Sequence, residues 1–286
     1  MQLERLPFCA IRPKKGNEGL VFANQPVTHT MILLLALLLI CDGLGTAHCS
    51  AAPGNSTDML QLLDFKRAIT NDPRQALSSW NASVPIARRV IALNLAKRGL
   101  SGLIFPSSNL TFLETLDLST NSFTGELPPL DNLHRLQHLL LSENSLKGII
   151  PDTLANCSNL QTLDLSFNLL IVYPNYSLPK IISPNDPTKP ENISQLEVIN
   201  LADNQLMGSI PNEIGQFPDL TALLLGGNIL SGRIPATLFN QSYLQILDVG
   251  INMIGNTLPC NFGDTLPSLT WLALTITSLT AISQLR

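Results

Sequence analysis

Three aspartates occupy one place in a recurring frame: Asp117 in LETLDLSTN, Asp164 in LQTLDLSFN and Asp248 in LQILDVGIN. Carboxylates held at a fixed separation can do acid and base work on a glycosidic bond. If each frame is a strand of a stacked sheet, Asp117 and Asp164 stand two rungs apart, about 9.6 Å from the usual strand spacing. That is near the upper limit for an inverting pair. Leu140 would lie between them, and no neighbour points to a raised carboxyl pKa or a pocket, so no catalysis is expected. His134 and His138 are four apart in HRLQH, on a loop entering a strand, and lack the glutamate of HExxH; no metal site is expected there. The Gly-rich loop, strand lysine, HRD and DFG elements of a kinase are missing, and NFGD at 261–264 does not meet the pattern. No catalytic residue, metal ligand or cofactor is assigned.

The polar residue that recurs most regularly is asparagine. The frame LxxLxLxxN places Asn121, Asn144, Asn168, Asn204, Asn228 and Asn252 at gaps of 23, 24, 36, 24 and 24 residues. Self-similarity at this period marks a solenoid, whose units bury an apolar face only by stacking. Alternating leucines such as Leu139 and Leu141 point inward from a short strand. The chain must then turn, which leaves backbone groups without strand partners. An inward amide offers two donors and an acceptor to satisfy them, so the six asparagines are expected to form a structural ladder. The following LxGxIP bends the back of each coil.

Composition agrees with such a chain. Of 286 residues only 13% are charged, against roughly 25% in average globular proteins, and stacked coils can share leucine that would otherwise meet water. A net charge of −4 and a pI near 5.5 argue against nucleic acid as a partner. Arg88, Arg89, Lys97 and Arg98 are read as a solvated face around the first coil.

The apolar run Met31–Ile40 is shorter than the roughly 20 residues that span a bilayer, and small residues follow it around Ala47 to Ala52. Residues 31–52 are therefore expected to be a secretory signal peptide, preceded by a disordered extension over 1–30. Either Met31 is the biological start, or the leader stays as an anchor; no later stretch reaches membrane length. Sequons at Asn55, Asn81, Asn109, Asn156, Asn175, Asn192 and Asn240 agree with secretion. Cys157 and Cys260 belong to coils separated by several others, so they are expected as buried thiols rather than a mutual disulfide. Residues 53–89 read as a helical N-terminal cap: Asp58 and Gln61 resemble a capping box, Met59, Leu62, Leu63 and Phe65 give an apolar side, and Asn71-Asp72-Pro73 stops the helix.

The motif LxxLxLxxNxLxGxIPxxLxxLxx, over roughly residues 90–275, resembles the plant extracellular leucine-rich repeats, specifically the ectodomains of leucine-rich repeat receptor-like kinases. The resemblance implies an α/β fold: a curved, right-handed solenoid with a parallel sheet on its concave face and a helical cap. It also implies a secretory route and a cell-surface or secreted location, a protein or peptide ligand, and a possible co-receptor ectodomain. Four departures stand out. The cap lacks the family's cysteines, since SSWNASVPIARRVIALNL runs from Trp80 and Asn81 straight into the first coil. An irregular, proline-rich insert covers about 169–193. Ile276 stands where the next asparagine would, so 276–286 reads as a tail, and no kinase follows. These departures point to a truncated or altered product.

Outward positions of the strands are the candidate partner surface: Thr115, Asp117, His138, Leu140, Glu143, Thr162, Asp164, Phe167, Val198, Asn200, Asp203, Leu224, Ile246, Asp248 and Ile251. Phe167, Leu140 and Leu224 are expected to be exposed anchors. The expected function is non-enzymatic ligand recognition by a receptor ectodomain or fragment in defence or development. A secreted inhibitor of foreign wall-degrading enzymes and a non-functional product are the alternatives.

Overall fold

The computed structural model describes residues 56–80, 89–104, 110–130, 132–172, 195–255 and 262–274, and the backbone of Val21–Phe22. The expected leader, most of the insert, the tail, Arg88, Cys260 and the sequons at Asn55, Asn81, Asn109, Asn175 and Asn192 lie outside them.

One strand per coil builds the principal sheet. These are β3 (Ala92–Asn94), β5 (Thr115–Asp117), β7 (His138–Leu140), β9 (Thr162–Asp164), β11 (Val198–Asn200), β13 (Ala222–Leu224), β15 (Ile246–Asp248) and β17 (Trp271–Ala273), all parallel and side by side in chain order. A two-residue strand, β1 (Val21–Phe22), adds in parallel beyond β17, inside the extension expected to be disordered. Every strand offers its central residue to the interior. Leu116, Leu139, Leu163, Ile199, Leu223, Leu247 and Leu272 are each buried in one continuous core, and full burial contributes roughly 1.5–3 kcal/mol per side chain. The result is a curved leucine-rich repeat solenoid.

The asparagines close the bend after each strand. Asn168 Nδ2 donates to Leu165 O and Ser166 O of its own coil, at 3.1 and 3.0 Å, and to Leu141 O of the preceding coil at 3.0 Å. Its Oδ1 accepts the Leu146 N–H at 3.0 Å. Asn144, Asn204, Asn228 and Asn252 repeat the pattern. Asn121 accepts from Arg98 N and Leu100 N and donates to Leu95 O, Leu118 O and Ser119 O. Each amide thus satisfies buried backbone groups and ties its coil to the one before.

The LxG segments do more than bend the back. They form a second parallel sheet along the flank, β4 (Ser101–Leu103), β6 (Ser122–Glu126), β8 (Ser145–Ile149) and β10 (Leu169–Ile171), and a third sheet of β12 (Met207–Ser209), β14 (Ile229–Arg233) and β16 (Met253–Gly255). Among the described residues, the bridge Ile171 to Gln205 is what joins the two. The principal sheet is not interrupted. Thr162, Leu163 and Asp164 pair directly with Val198, Ile199 and Asn200, so the strand frame resumes in register across the 36-residue gap. Single 3₁₀ turns, Asp152–Asn156, Asn212–Gln216 and Ala236–Asn240, each follow an extended proline on the convex side.

At the N-terminal end, α1 (Ser56–Ala68) leads into β2 (Ile69–Asn71), which pairs antiparallel with β4. Gly102 is required there, because a Cβ would meet Ala68 O at 2.2 Å. The Phe65 ring sits 6.4 Å from Trp80 and 6.2 Å from Phe123, joining cap and solenoid. The capping-box reading of Asp58 is corrected. The helix begins at Ser56, and Asp58 Oδ2 accepts Val90 N–H at 2.9 Å and Arg89 Nε at 3.1 Å across the cap boundary. Beyond the helix, Asp72 holds the turn that leads to Trp80, accepting Ala76 N–H and Leu77 N–H.

Candidate interaction face

Because side chains alternate along a strand, the residues flanking each central leucine face outward in two rows. The first row runs Thr115, His138, Thr162, Val198, Ala222, Ile246, Trp271, and the second Asp117, Leu140, Asp164, Asn200, Leu224, Asp248, Ala273. The two halves of this face differ chemically. Coils 115 to 164 present hydroxyls, an imidazole and two carboxylates; coils 198 to 271 are mainly aliphatic.

The aspartates have a structural task that the sequence reading missed. Asp117 Oδ1 accepts Ser119 N–H and Oγ–H, Asp164 Oδ1 accepts Ser166 N–H and Oγ–H, and Asp248 Oδ1 accepts Gly250 N–H. Asn200 Oδ1 accepts Ala202 N–H in the same way. A short acceptor at this position ends the strand by holding the N–H two residues on. Burial pushes the Asp164 carboxyl above the usual carboxylate range; hydrogen bonds from Ser166 and Ser142 oppose this, and the Asp117 charge adds to it. Burial lowers the His138 imidazole, whose Nδ1 lies 3.2 Å from Thr162 Oγ1. His134 Nδ1 lies instead 3.1 Å from Asn156 O. Among the described residues no group of three His, Cys, Asp or Glu side chains could hold a metal ion. With Leu140 between them, Asp117 and Asp164 do not converge on a common point.

The expected exposure of the apolar positions is corrected. Leu140 and Leu224 are buried, as are Val198 and Ile246, and Phe167 is half-buried. Val198, Ala202, Ala222, Leu224 and Ile246 form an apolar cluster of their own outside the main core, with Trp271 packed against it. Thr162, Asn200, Asp164 and Asp248 are buried too. Ala222 and Trp271 were absent from the sequence-based set. Ala222 was legible from alternation, whereas Trp271 belongs to a coil with no asparagine to announce it.

Glu143, Phe167, Asp203 and Ile251 line the rim of the face, each directly before a ladder asparagine. All have left-handed backbone, φ 54°, 52°, 52° and 50°, as do Lys97 and Thr120. Arg89 and Arg135 both stack on the Phe112 ring, their guanidinium carbons 4.2 and 4.3 Å from its centroid. Arg89 is therefore engaged with Asp58 and Phe112 rather than simply solvated. The Cys157 thiol is buried, 3.7 Å from Leu130 O. Asn240 is exposed and Asn156 partly so.

Sequence and fold comparisons define the class. Leucine-rich repeat family models match residues 112–170 and 195–217. The chain is a leucine-rich repeat protein homologous to plant leucine-rich repeat receptor-like kinases and receptor-like proteins. It is similar to Receptor-like protein 35 of Arabidopsis thaliana, 36% identical over 110 residues, covering 38% of this chain and 10% of that protein. Among solved structures, PEPR1–AtPEP1 matches at 33% identity and TM-score 0.67 over 77% of this chain and 31% of that one. The Arabidopsis receptor kinase HAESA, in complex with the peptide hormone IDA and the co-receptor SERK1, matches at 31% identity and TM-score 0.63 over 75% and 37%. The chain thus spans a minor part of the length of these relatives. No helix among the described residues is long and apolar enough to cross a membrane.

Proposed function

We propose that this solenoid is a ligand-recognition module, binding an extended peptide or protein segment along the two outward rows of the principal sheet. One observation carries the reading: inward positions repeat leucine from coil to coil, while outward positions change from coil to coil in a defined order. A surface whose chemistry is specified rung by rung suits recognition of an extended chain. The HAESA structure, which contains a peptide hormone and a co-receptor, supports the analogy. His138 and Trp271 are assigned to contact, with Glu143 and Phe167 at the rim and the buried Thr162, Asp164 and Asn200 beneath them. Leu140, Val198, Leu224 and Asp248 shape the floor.

Residues 31–52 are proposed as the secretory leader, 53–89 as the cap and 90–275 as the repeats, with 276–286 a tail. Delivery to the cell surface or outside it follows, with sequons such as Asn156 and Asn240 available for glycans. The test is a panel of displayed short random peptides panned against the full chain from a secretory host. His138→Arg with Glu143→Arg should abolish binding of the selected peptides, and Thr124→Arg with Ser209→Arg on the flank should leave it intact. The reverse pattern contradicts the proposal.

A further inference from the structure

Two Asn-x-Ser triplets among the described residues fall at one place in the fold. Asn156 closes the 3₁₀ turn Asp152–Asn156 and Asn240 closes the turn Ala236–Asn240, both on the convex back. Each stands four residues before the leucine that opens the next strand frame, Leu160 and Leu244, and in the sequence Asn109 and Asn192 keep that distance from Leu113 and Leu196. The third turn, Asn212–Gln216, ends on glutamine, with Pro218 where the triplet's hydroxyl would be. Burial alternates within both triplets. In Asn156-Cys157-Ser158 the Cys157 thiol enters the core, 3.7 Å from Leu130 O of the preceding coil, while Asn156 and Ser158 are only half-buried. In Asn240-Gln241-Ser242 the buried Gln241 amide donates to Gly215 O of the preceding coil, while Asn240 and Ser242 are exposed. The middle residue anchors each triplet, so a bulky polar group on the asparagine would meet solvent rather than core. The ladder asparagines behave oppositely: their amides are spent on backbone carbonyls, and none of them heads an Asn-x-Ser/Thr triplet.

We propose that Asn156 and Asn240 both carry N-linked oligosaccharide, which makes the convex back the sugar-bearing side and leaves the principal sheet and the flank bare for protein contact. Among the described residues, no strand of either surface contains an Asn-x-Ser/Thr triplet. The donor is a lipid diphosphate-linked oligosaccharide of the secretory route. Asparagine Nδ2 bonds to the anomeric carbon, the bond from that carbon to the diphosphate breaks, the amide gives up one proton, and the lipid diphosphate leaves. The placement has a physical use. Only 13% of the chain is charged, and Tyr243, beside the second triplet, is 61% exposed on the same side. Hydrated sugar there keeps the backs of separate molecules apart. The inference rests on the secretory route proposed above and is independent of what the outward face binds.

The test is the full chain secreted from a eukaryotic host, its sugars released by an amidase in heavy-oxygen water, which turns each occupied asparagine into labelled aspartate for peptide mass spectrometry. Label is expected at Asn156 and at Asn240. Asn156→Gln and Asn240→Gln should each lower the mass of the intact chain by one oligosaccharide, and the double variant should bind the peptides selected above unchanged while aggregating at lower concentration. A secreted chain unlabelled at either position overturns the inference and leaves the secretory route standing. A chain that is never exported and bears no sugar at any triplet overturns both. Loss of peptide binding in a double variant whose unfolding transition is intact would put the back among the contact surfaces and overturn the division of faces.

Discussion

Asn168 donates its side-chain amide to the carbonyl of Leu141, 3.0 Å away in the preceding coil, while its Oδ1 receives the N–H of Leu146 from that same coil. One side chain therefore bridges two coils at both its ends, and the stack is held by polar contacts as well as by leucine. Asn168→Ala should cost about 2–4 kcal/mol in urea unfolding, because it leaves several buried backbone groups unpaired. Asn168→Asp should cost at least as much at neutral pH, since a carboxylate cannot donate to Leu141, Leu165 and Ser166. A loss no larger than that of a surface substitution would show that the ladder is dispensable.

Ile251 has φ 50° and Thr120 φ 54°. Both are β-branched residues in a conformation that costs an L-residue roughly 1–2 kcal/mol. Asn tolerates this region, so Ile251→Asn should raise stability by about 1 kcal/mol, read as a higher melting temperature. Gly227 occupies the same position, and Gly227→Ala should lower stability because its Cβ would lie 2.4 Å from Asp203 Oδ1. Equal melting temperatures for the three proteins would remove the strain argument.

Asp58 is fully buried and accepts from Val90 N–H and Arg89 Nε. Asp58→Ala should cost about 3 kcal/mol, since it leaves a buried N–H and a mostly buried guanidinium without their acceptor. Hydrogen exchange should show the loss first in α1 and the first coil. Uniform faster exchange along the whole stack would contradict a latch confined to the cap.

A carboxyl held above its ordinary range, as Asp164 is, binds a proton more readily in the folded chain than in the unfolded one. Its contribution to stability is therefore fully present below the unfolded carboxylate pKa and lost as pH rises through the folded value. Asp164→Asn keeps an acceptor for Ser166 N–H and abolishes this titration. The variant should be more stable than the parent at neutral pH, with the gap closing toward acid. Melting profiles that stay parallel across that range would rule out the proposed linkage.

Much of this structure can be read from residue types alone. The leucine alternation and the asparagine frame determine which side chains enter the core and where each coil bends, because both depend on local spacing. The flank sheets were not visible: the same LxG residues that bend the chain also pair across coils, a long-range property. The 36-residue gap looked like a broken repeat, yet Thr162 still pairs with Val198 because the strand frame resumes in register. Asp58 was misread since its donors lie about thirty residues downstream, at Arg89 and Val90. Leu140 and Leu224 are expected from alternation to be exposed, but alternation gives only direction, and both are buried.

Trp271 gives the most direct test of ligand binding on the outward face. In a Trp80→Phe background it is the sole tryptophan, and its emission can be followed while a selected peptide is titrated into the full chain. The account predicts a saturable change in intensity and wavelength with the same midpoint as binding measured independently. Full binding with unchanged Trp271 emission would place the ligand elsewhere and contradict it.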